Sequence, residues 1–120
     1  MGRKERQLTI NENLKNLDTT YHYKEGIIKF RPEPAEKINH FMAKCLTAWE
    51  LKNNNVDFYT EAIFANGSRA DIYVPLWNSA IEIVSSESKE SMINKEDKYP
   101  CKVSFLKADD VLKQNGIEIK

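Results

Sequence analysis

Cysteine, glycine and proline are scarce in this chain of 120 residues, and its charges cancel. Cys45 and Cys101 show no CxxC or Cys/His spacing, which argues against a disulfide framework and against a structural zinc. Eighteen basic and eighteen acidic residues leave no net field that attracts nucleic acid or an anionic membrane, so such binding needs a local patch. No apolar run approaches the roughly 18 residues of a membrane span. We therefore infer a cytoplasmic protein that does not enter a membrane.

The composition is that of a folded protein. Hydrophobic residues make up 41% of the chain and aromatic residues 10%, enough for one core at this length. We expect a polar N-terminal segment over residues 1–18 and a single domain over residues 19–120. The cluster of Arg3, Lys4 and Arg6 is typical of a solvated terminus.

Turn and periodicity signals divide the domain into short elements. The stretch YHYKEGIIKF predicts a β-hairpin with a turn at Glu-Gly. After it the pattern predicts a helix over residues 35–53 and three strands over residues 56–64, 70–76 and 80–86. The polar stretch of residues 87–100 is predicted to carry a short helix before Pro100. A strand over residues 101–106, a short helix over residues 108–116 and a last strand over residues 117–120 follow. This order predicts an α/β fold with a mixed central sheet flanked by helices, preceded by an N-terminal β-hairpin.

The first helix of the domain is predicted to be amphipathic. Its apolar residues recur at intervals of three and four: Ile38, Phe41, Met42, Cys45, Leu46 and Trp49. This pattern places Glu50 and Lys44 on opposite flanks of the apolar face. A single site can therefore use either Glu50, or the pair His40 and Lys44 from the other flank.

Acidic residues interrupt three neighbouring apolar strands. A three-residue loop, Ala65 to Gly67, with Gly67 at positive φ, would place Glu61 directly across from Asp71. If the third strand lies alongside, Glu82 joins them, and facing carboxylates need a positive charge between them. A divalent cation would supply it. The alternative is that these acids lie on solvated faces, caps and edges.

The stretch RADIYV, ten intervening residues and IEIV resembles the PD-(D/E)xK nuclease superfamily. The resemblance covers residues 36–108 and implies a restriction-endonuclease-like αβββαβ core. It also implies that Asp71 and Glu82 hold Mg²⁺ or Mn²⁺, which activates a water for attack on a phosphodiester. Glu61 would be the third acidic ligand.

The chain departs from the family pattern at two positions. Ala70 stands where the family name has proline, and Val84 stands where the family has its catalytic lysine. We expect Lys44 to serve as a displaced lysine that helps electrostatically; the alternative is a solvated flank residue whose stem covers the helix edge. His40 and Glu50 remain open as further members of the site.

These observations predict a metal-dependent endonuclease-like domain that hydrolyses DNA phosphodiester bonds and that could act as a homodimer. The alternative is a catalytically lapsed nuclease-fold domain that binds nucleic acid or a protein partner; an unrelated α/β interaction module is a third reading. The segment SSESKES is read as a helix cap or as a phosphate-binding turn.

Overall fold

A computed structural model describes residues 2–18, 23–24, 37–85 and 88–117. The elements in chain order are α1 (Arg3–Asn13), β1 (Tyr23–Lys24), α2 (Ile38–Asn53), β2 (Tyr59–Ile63), β3 (Arg69–Val74), β4 (Ser79–Val84), α3 (Lys89–Lys98), β5 (Lys102–Lys107) and α4 (Ala108–Gln114). Their order confirms the predicted α/β class. Apart from β1, the predicted hairpin over residues 21–30 lies outside the described residues, as does the predicted last strand beyond residue 117. No helix in the described ranges is long and apolar enough to cross a membrane.

The N-terminal segment contains a helix, α1, that the sequence pattern did not predict. Ile10 and Leu17 from this region are both buried. The side-chain amide of Asn13 donates to the Pro75 carbonyl at 2.6 Å, and Leu17 forms an isolated β-bridge with Phe64. These contacts attach the segment to the sheet, because each satisfies a backbone group or covers apolar surface.

The five strands form one mixed sheet in the order β1-β2-β3-β4-β5. β2, β3 and β4 are antiparallel neighbours. β5 runs parallel to β4, and α3 supplies the crossover that a parallel pair requires. Ser88 caps the start of α3 by accepting a hydrogen bond from the Ser91 amide at 3.2 Å, which confirms the cap reading of SSESKES.

The loop between β2 and β3 sets the register of the central hairpin. Gly67 has φ 88°, and its amide donates to the Phe64 carbonyl at 2.9 Å. The Phe64 amide in turn donates to the Ser68 carbonyl at 2.8 Å. Thr60 pairs with Ile72 and Ala62 with Ala70, so the predicted three-residue loop and its register are confirmed, and positions 61 and 71 fall between these two pairs.

Helix α2 buries a different face from the predicted one. Its buried residues are Ala43, Lys44, Thr47, Ala48 and Leu51. Trp49 is 62% exposed and Ile38 is 58% exposed, so the prediction that they mark the buried face is wrong. Small side chains such as Ala43 and Ala48 let the helix approach the sheet closely, and the ammonium group of Lys44 has a partner in the interior.

Strict alternation along β2 and β3 also fails. One core cluster, packed under α2 and α4, includes Ile72 and Val74. A second cluster holds Ala62, Phe64 and Ala70 together with Tyr59 and Tyr73, whereas alternation predicted Ala70 on the side of Ile72. The cause lies at Glu61, whose φ of 49° departs from strand geometry and turns the residues beyond it.

Candidate functional site: a buried acidic cluster

Asp71 on β3 and Glu82 on β4 lie side by side in the interior, each 4% exposed. The backbones of β3 and β4 pair as far as Ile72 and Ile81. At the next position carboxylate oxygens accept the hydrogen bonds from the backbone amides. Glu82 Oε2 accepts a hydrogen bond from the Asp71 amide at 3.1 Å, and Asp71 Oδ2 accepts one from the Ile83 amide at 2.9 Å. The two side chains therefore replace carbonyl oxygens in the ladder and satisfy buried amides.

Burial and the neighbouring Asp71 change the acidity of Glu82. Loss of hydration raises the pKa of Glu82 from 4.5 to about 8, and the charge of Asp71 and a hydrogen bond to it act in the same direction. The Tyr99 hydroxyl, which contacts Glu82 Oε1, lowers that pKa in part. A proton on Glu82 therefore reduces the repulsion between the two carboxyl groups near neutral pH.

Glu61 and Lys44 form a second buried pair, in which the two groups are of opposite charge. Lys44 Nζ lies 3.4 Å from Glu61 Oε1, and the two residues are 1% and 5% exposed. The ammonium also lies 5.9 Å from the centre of the Phe41 ring, within cation–π range. Burying the Glu61 carboxylate destabilises the fold through lost hydration, and its positive φ adds backbone strain. The ion pair with Lys44 offsets these two costs.

Two further basic side chains lie at the edge of the cluster. His40 Nε2 is 2.6 Å from the Ile83 carbonyl oxygen and 3.9 Å from Asp71 Oδ2. Arg69 Nε is 3.9 Å from Glu61 Oε2, and the Arg69 side chain is 51% exposed. The acidic side chains are thus buried, whereas the basic side chains around them range from buried to half-exposed.

The structure brings the predicted site residues together in pairs. Asp71 and Glu82 are adjacent, and Lys44 pairs with Glu61, so the readings that placed these acids and Lys44 in solvent are wrong. His40 also reaches the cluster, as the alternative with Lys44 required. Glu50 is exposed. Val84 is 5% exposed and belongs to the interior.

Tyr99 is the residue that sequence reasoning missed. Its hydroxyl contacts Glu82 Oε1 and the Arg69 carbonyl oxygen, so it joins the end of the α3 crossover to the acidic cluster. Its position before Pro100 indicated only the end of a helix. No local sequence pattern indicates that a side chain at the end of the crossover helix contacts residues on β3 and β4.

The donor set suits a hard cation only in part. Carboxylate oxygens are the ligands that Mg²⁺ prefers, and Mg²⁺ often takes one or two carboxylates from protein and its remaining ligands from water and phosphate. Asp71 and Glu82 could provide such a pair. Both oxygens of Glu82 have protein partners, however, and among the described residues no group of three or more His, Cys, Asp or Glu is arranged to hold a metal ion. Glu61 as a third ligand stays a prediction.

Comparisons with known proteins add no family. No family model matches the chain, and neither a curated protein nor a solved structure gives a significant match. Functional inference therefore depends on the fold and on the geometry of the acidic cluster.

Proposed function

We propose that this chain is a metal-dependent endonuclease-like domain that hydrolyses DNA phosphodiester bonds on a restriction-endonuclease-like αβββαβ core. The observation that carries the proposal is the pairing of Asp71 with Glu82 on adjacent central strands. The element order from α2 to β5 supports it as well, because helix, three antiparallel strands, crossover helix and parallel strand is the order that the resemblance implies.

The roles follow from the neighbours of each residue. Asp71 and Glu82 would hold Mg²⁺ or Mn²⁺, which supplies Lewis acidity that activates a water and offsets charge on the phosphate. Ligation requires Glu82 to lose its proton and to exchange its contact with Tyr99. Lys44 is paired with Glu61, and it would act as the electrostatic helper through its field, because its ammonium is enclosed.

A second function is favoured by two observations at Glu82. Val84, two residues further along β4, is buried where a catalytic lysine would be expected. Both oxygens of Glu82 are also engaged within the protein, by the Asp71 amide and by Tyr99. These features suit a lapsed nuclease-fold domain that retains the acidic cluster for stability and binds nucleic acid or a protein partner without cleaving it.

Cleavage and metal binding together test the proposal. Supercoiled circular DNA and a branched duplex are incubated with the protein and Mn²⁺, and the melting temperature is measured with and without Mn²⁺. We expect nicking by the wild type and a rise in its melting temperature, because a ligand that binds only the folded state stabilises it. Asp71→Asn and Glu82→Gln, which preserve side-chain shape, should lose both effects.

The pattern of failure separates the candidates. DNA binding without cleavage and without a Mn²⁺-dependent rise in melting temperature would favour the lapsed domain. Absence of cleavage, metal binding and DNA binding would contradict the nuclease and leave, of the lapsed domain, only the form that binds a protein partner. Homodimer formation, which the resemblance also allows, is checked by light scattering of the purified chain.

A further inference from the structure

The acidic cluster needs a cation that a substrate can reach, and Lys44 does not meet that need. Its side chain is 1% exposed, and its ammonium already faces Glu61. Lys44 is therefore not the first charge that a DNA phosphate meets, because its ammonium is engaged by Glu61 and the neighbouring carboxylates would repel the phosphate. The charge that first meets a phosphate must therefore lie at the edge of the cluster.

Arg69 has the exposure and the position that this role requires. It is the first residue of β3, two residues before Asp71 on the same strand. Its side chain is 51% exposed, and Nε is 3.9 Å from Glu61 Oε2, which is beyond hydrogen-bond distance. The contact orients the guanidinium without a bidentate clamp. Within the described residues the terminal nitrogens of Arg69 make no hydrogen bond.

The main chain of Arg69 is held more firmly than its side chain. Its carbonyl oxygen lies 2.5 Å from the Tyr99 hydroxyl oxygen, and Arg69 pairs with Ile63 across the hairpin. A planar, half-exposed guanidinium on a fixed backbone is suited to bidentate binding of phosphate. An exposed lysine would offer only a point charge.

We propose that Arg69 binds a backbone phosphate of DNA at the mouth of the acidic cluster. The inference rests on the proposed function, because it takes DNA as the partner. It adds a binding residue and a direction of approach: the strand enters over the start of β3, past Arg69, towards Asp71.

The test is the salt dependence of DNA binding in EDTA, which needs neither metal nor cleavage. Binding of a short fluorescein-labelled duplex is measured by anisotropy between about 50 and 200 mM salt, a range over which phosphate contacts lose much of their affinity. Arg69→Gln should weaken binding about threefold to tenfold at low salt and reduce the slope of log K against log salt by about one. Arg69→Lys should keep the slope, because the charge remains, and lose part of the affinity.

The matched control is Lys113→Gln on α4, which removes an exposed charge from a helix that packs against α2 and β5. It should leave both slope and affinity unchanged. A wild-type protein that binds DNA while Arg69→Gln keeps the wild-type slope would overturn the role of Arg69 and leave the proposed function standing. A wild-type protein that does not bind the duplex would overturn both.

A measurement on the unmodified chain guards against a variant that fails to fold. Phenylglyoxal labels exposed arginines, and peptide mass spectrometry reports the extent of labelling at each position. DNA should protect Arg69 in the complex. Undiminished labelling of Arg69 in the presence of saturating DNA would contradict the proposed contact.

Discussion

Glu61 and Glu82 are buried to the same degree, yet the protein handles their charges in different ways. Glu61, 5% exposed, faces the ammonium of Lys44 at 3.4 Å. Glu82, 4% exposed, faces another carboxyl group, and its pKa is raised to about 8. The charge of Glu61 is neutralised by the ammonium of Lys44, which is part of the protein. Glu82 is neutralised by a proton, which a metal cation can replace. The difference separates the part of the cluster that is needed for stability from the part that is available for chemistry.

The largest effect is expected from breaking the fixed pair. Lys44→Met keeps the volume and removes the ammonium, leaving Glu61 buried with Arg69 as its remaining described basic neighbour. We expect a loss of about 3–5 kcal/mol in the free energy of unfolding at neutral pH, the usual cost of an uncompensated buried charge. Urea denaturation measures it, with the exposed Lys52→Met as control. A loss below about 1 kcal/mol, typical of an exposed pair, would show that Lys44 is not buried with Glu61.

The second effect is the pH dependence of stability that Glu82 imposes. Because its pKa in the folded state lies above the value of 4.5 expected in the unfolded chain, the folded protein binds the proton more tightly. The associated stability is complete at low pH and is lost as the pH rises through about 8. We expect Glu82→Gln to remove this loss, so that at about pH 9 the variant is more stable than the wild type by about 2–3 kcal/mol.

Urea denaturation of wild type and Glu82→Gln at several pH values checks this expectation. Titration of groups distant from the carboxyl pair is shared by the two proteins and cancels in the difference between their free energies of unfolding. Parallel pH profiles for the two proteins would mean that Glu82 is ionised in the folded state at neutral pH, and the contrast with Glu61 would disappear.

The smallest effect concerns the hydroxyl of Tyr99. Tyr99→Phe removes a hydrogen bond to Glu82, and we expect it to cost about 1 kcal/mol. Because that hydrogen bond lowers the pKa of Glu82, the variant should also shift the pH-dependent loss of stability to higher pH. An unchanged midpoint would show that Tyr99 stabilises the end of α3 without influencing the carboxyl pair.

Turn chemistry made the register of the central hairpin predictable. Gly67 tolerates the positive φ that a three-residue loop needs, and this alone fixes which residues of β2 and β3 face each other. The predicted register follows from local sequence, and the pairs on either side of Glu61 and Asp71 confirm it. The order of helices and strands from α2 to α4 was likewise predictable from periodicity and from the positions of glycine and proline.

Tertiary contacts decided the features that the sequence pattern did not predict. Periodicity assumes that apolar residues mark the buried face of a helix, but α2 buries Lys44 because Glu61 receives its charge in the interior. Alternation assumes regular strand geometry, and the positive φ of Glu61 breaks it. Tyr99 reaches Glu82 only through the packing of the crossover. In each case one long-range interaction outweighs a local preference.

The α3 crossover has a consequence for the order in which the molecule folds. Antiparallel β2, β3 and β4 follow one another through short turns, so Glu61, Asp71 and Glu82 can meet early at little entropic cost. The parallel pairing of β4 with β5, and with it the arrival of Tyr99, requires the longer excursion through α3 to close first. We therefore expect the carboxyl pair to form before its hydroxyl partner arrives, so that a nascent chain passes through a stage in which Glu82 is still accessible to ions from solution.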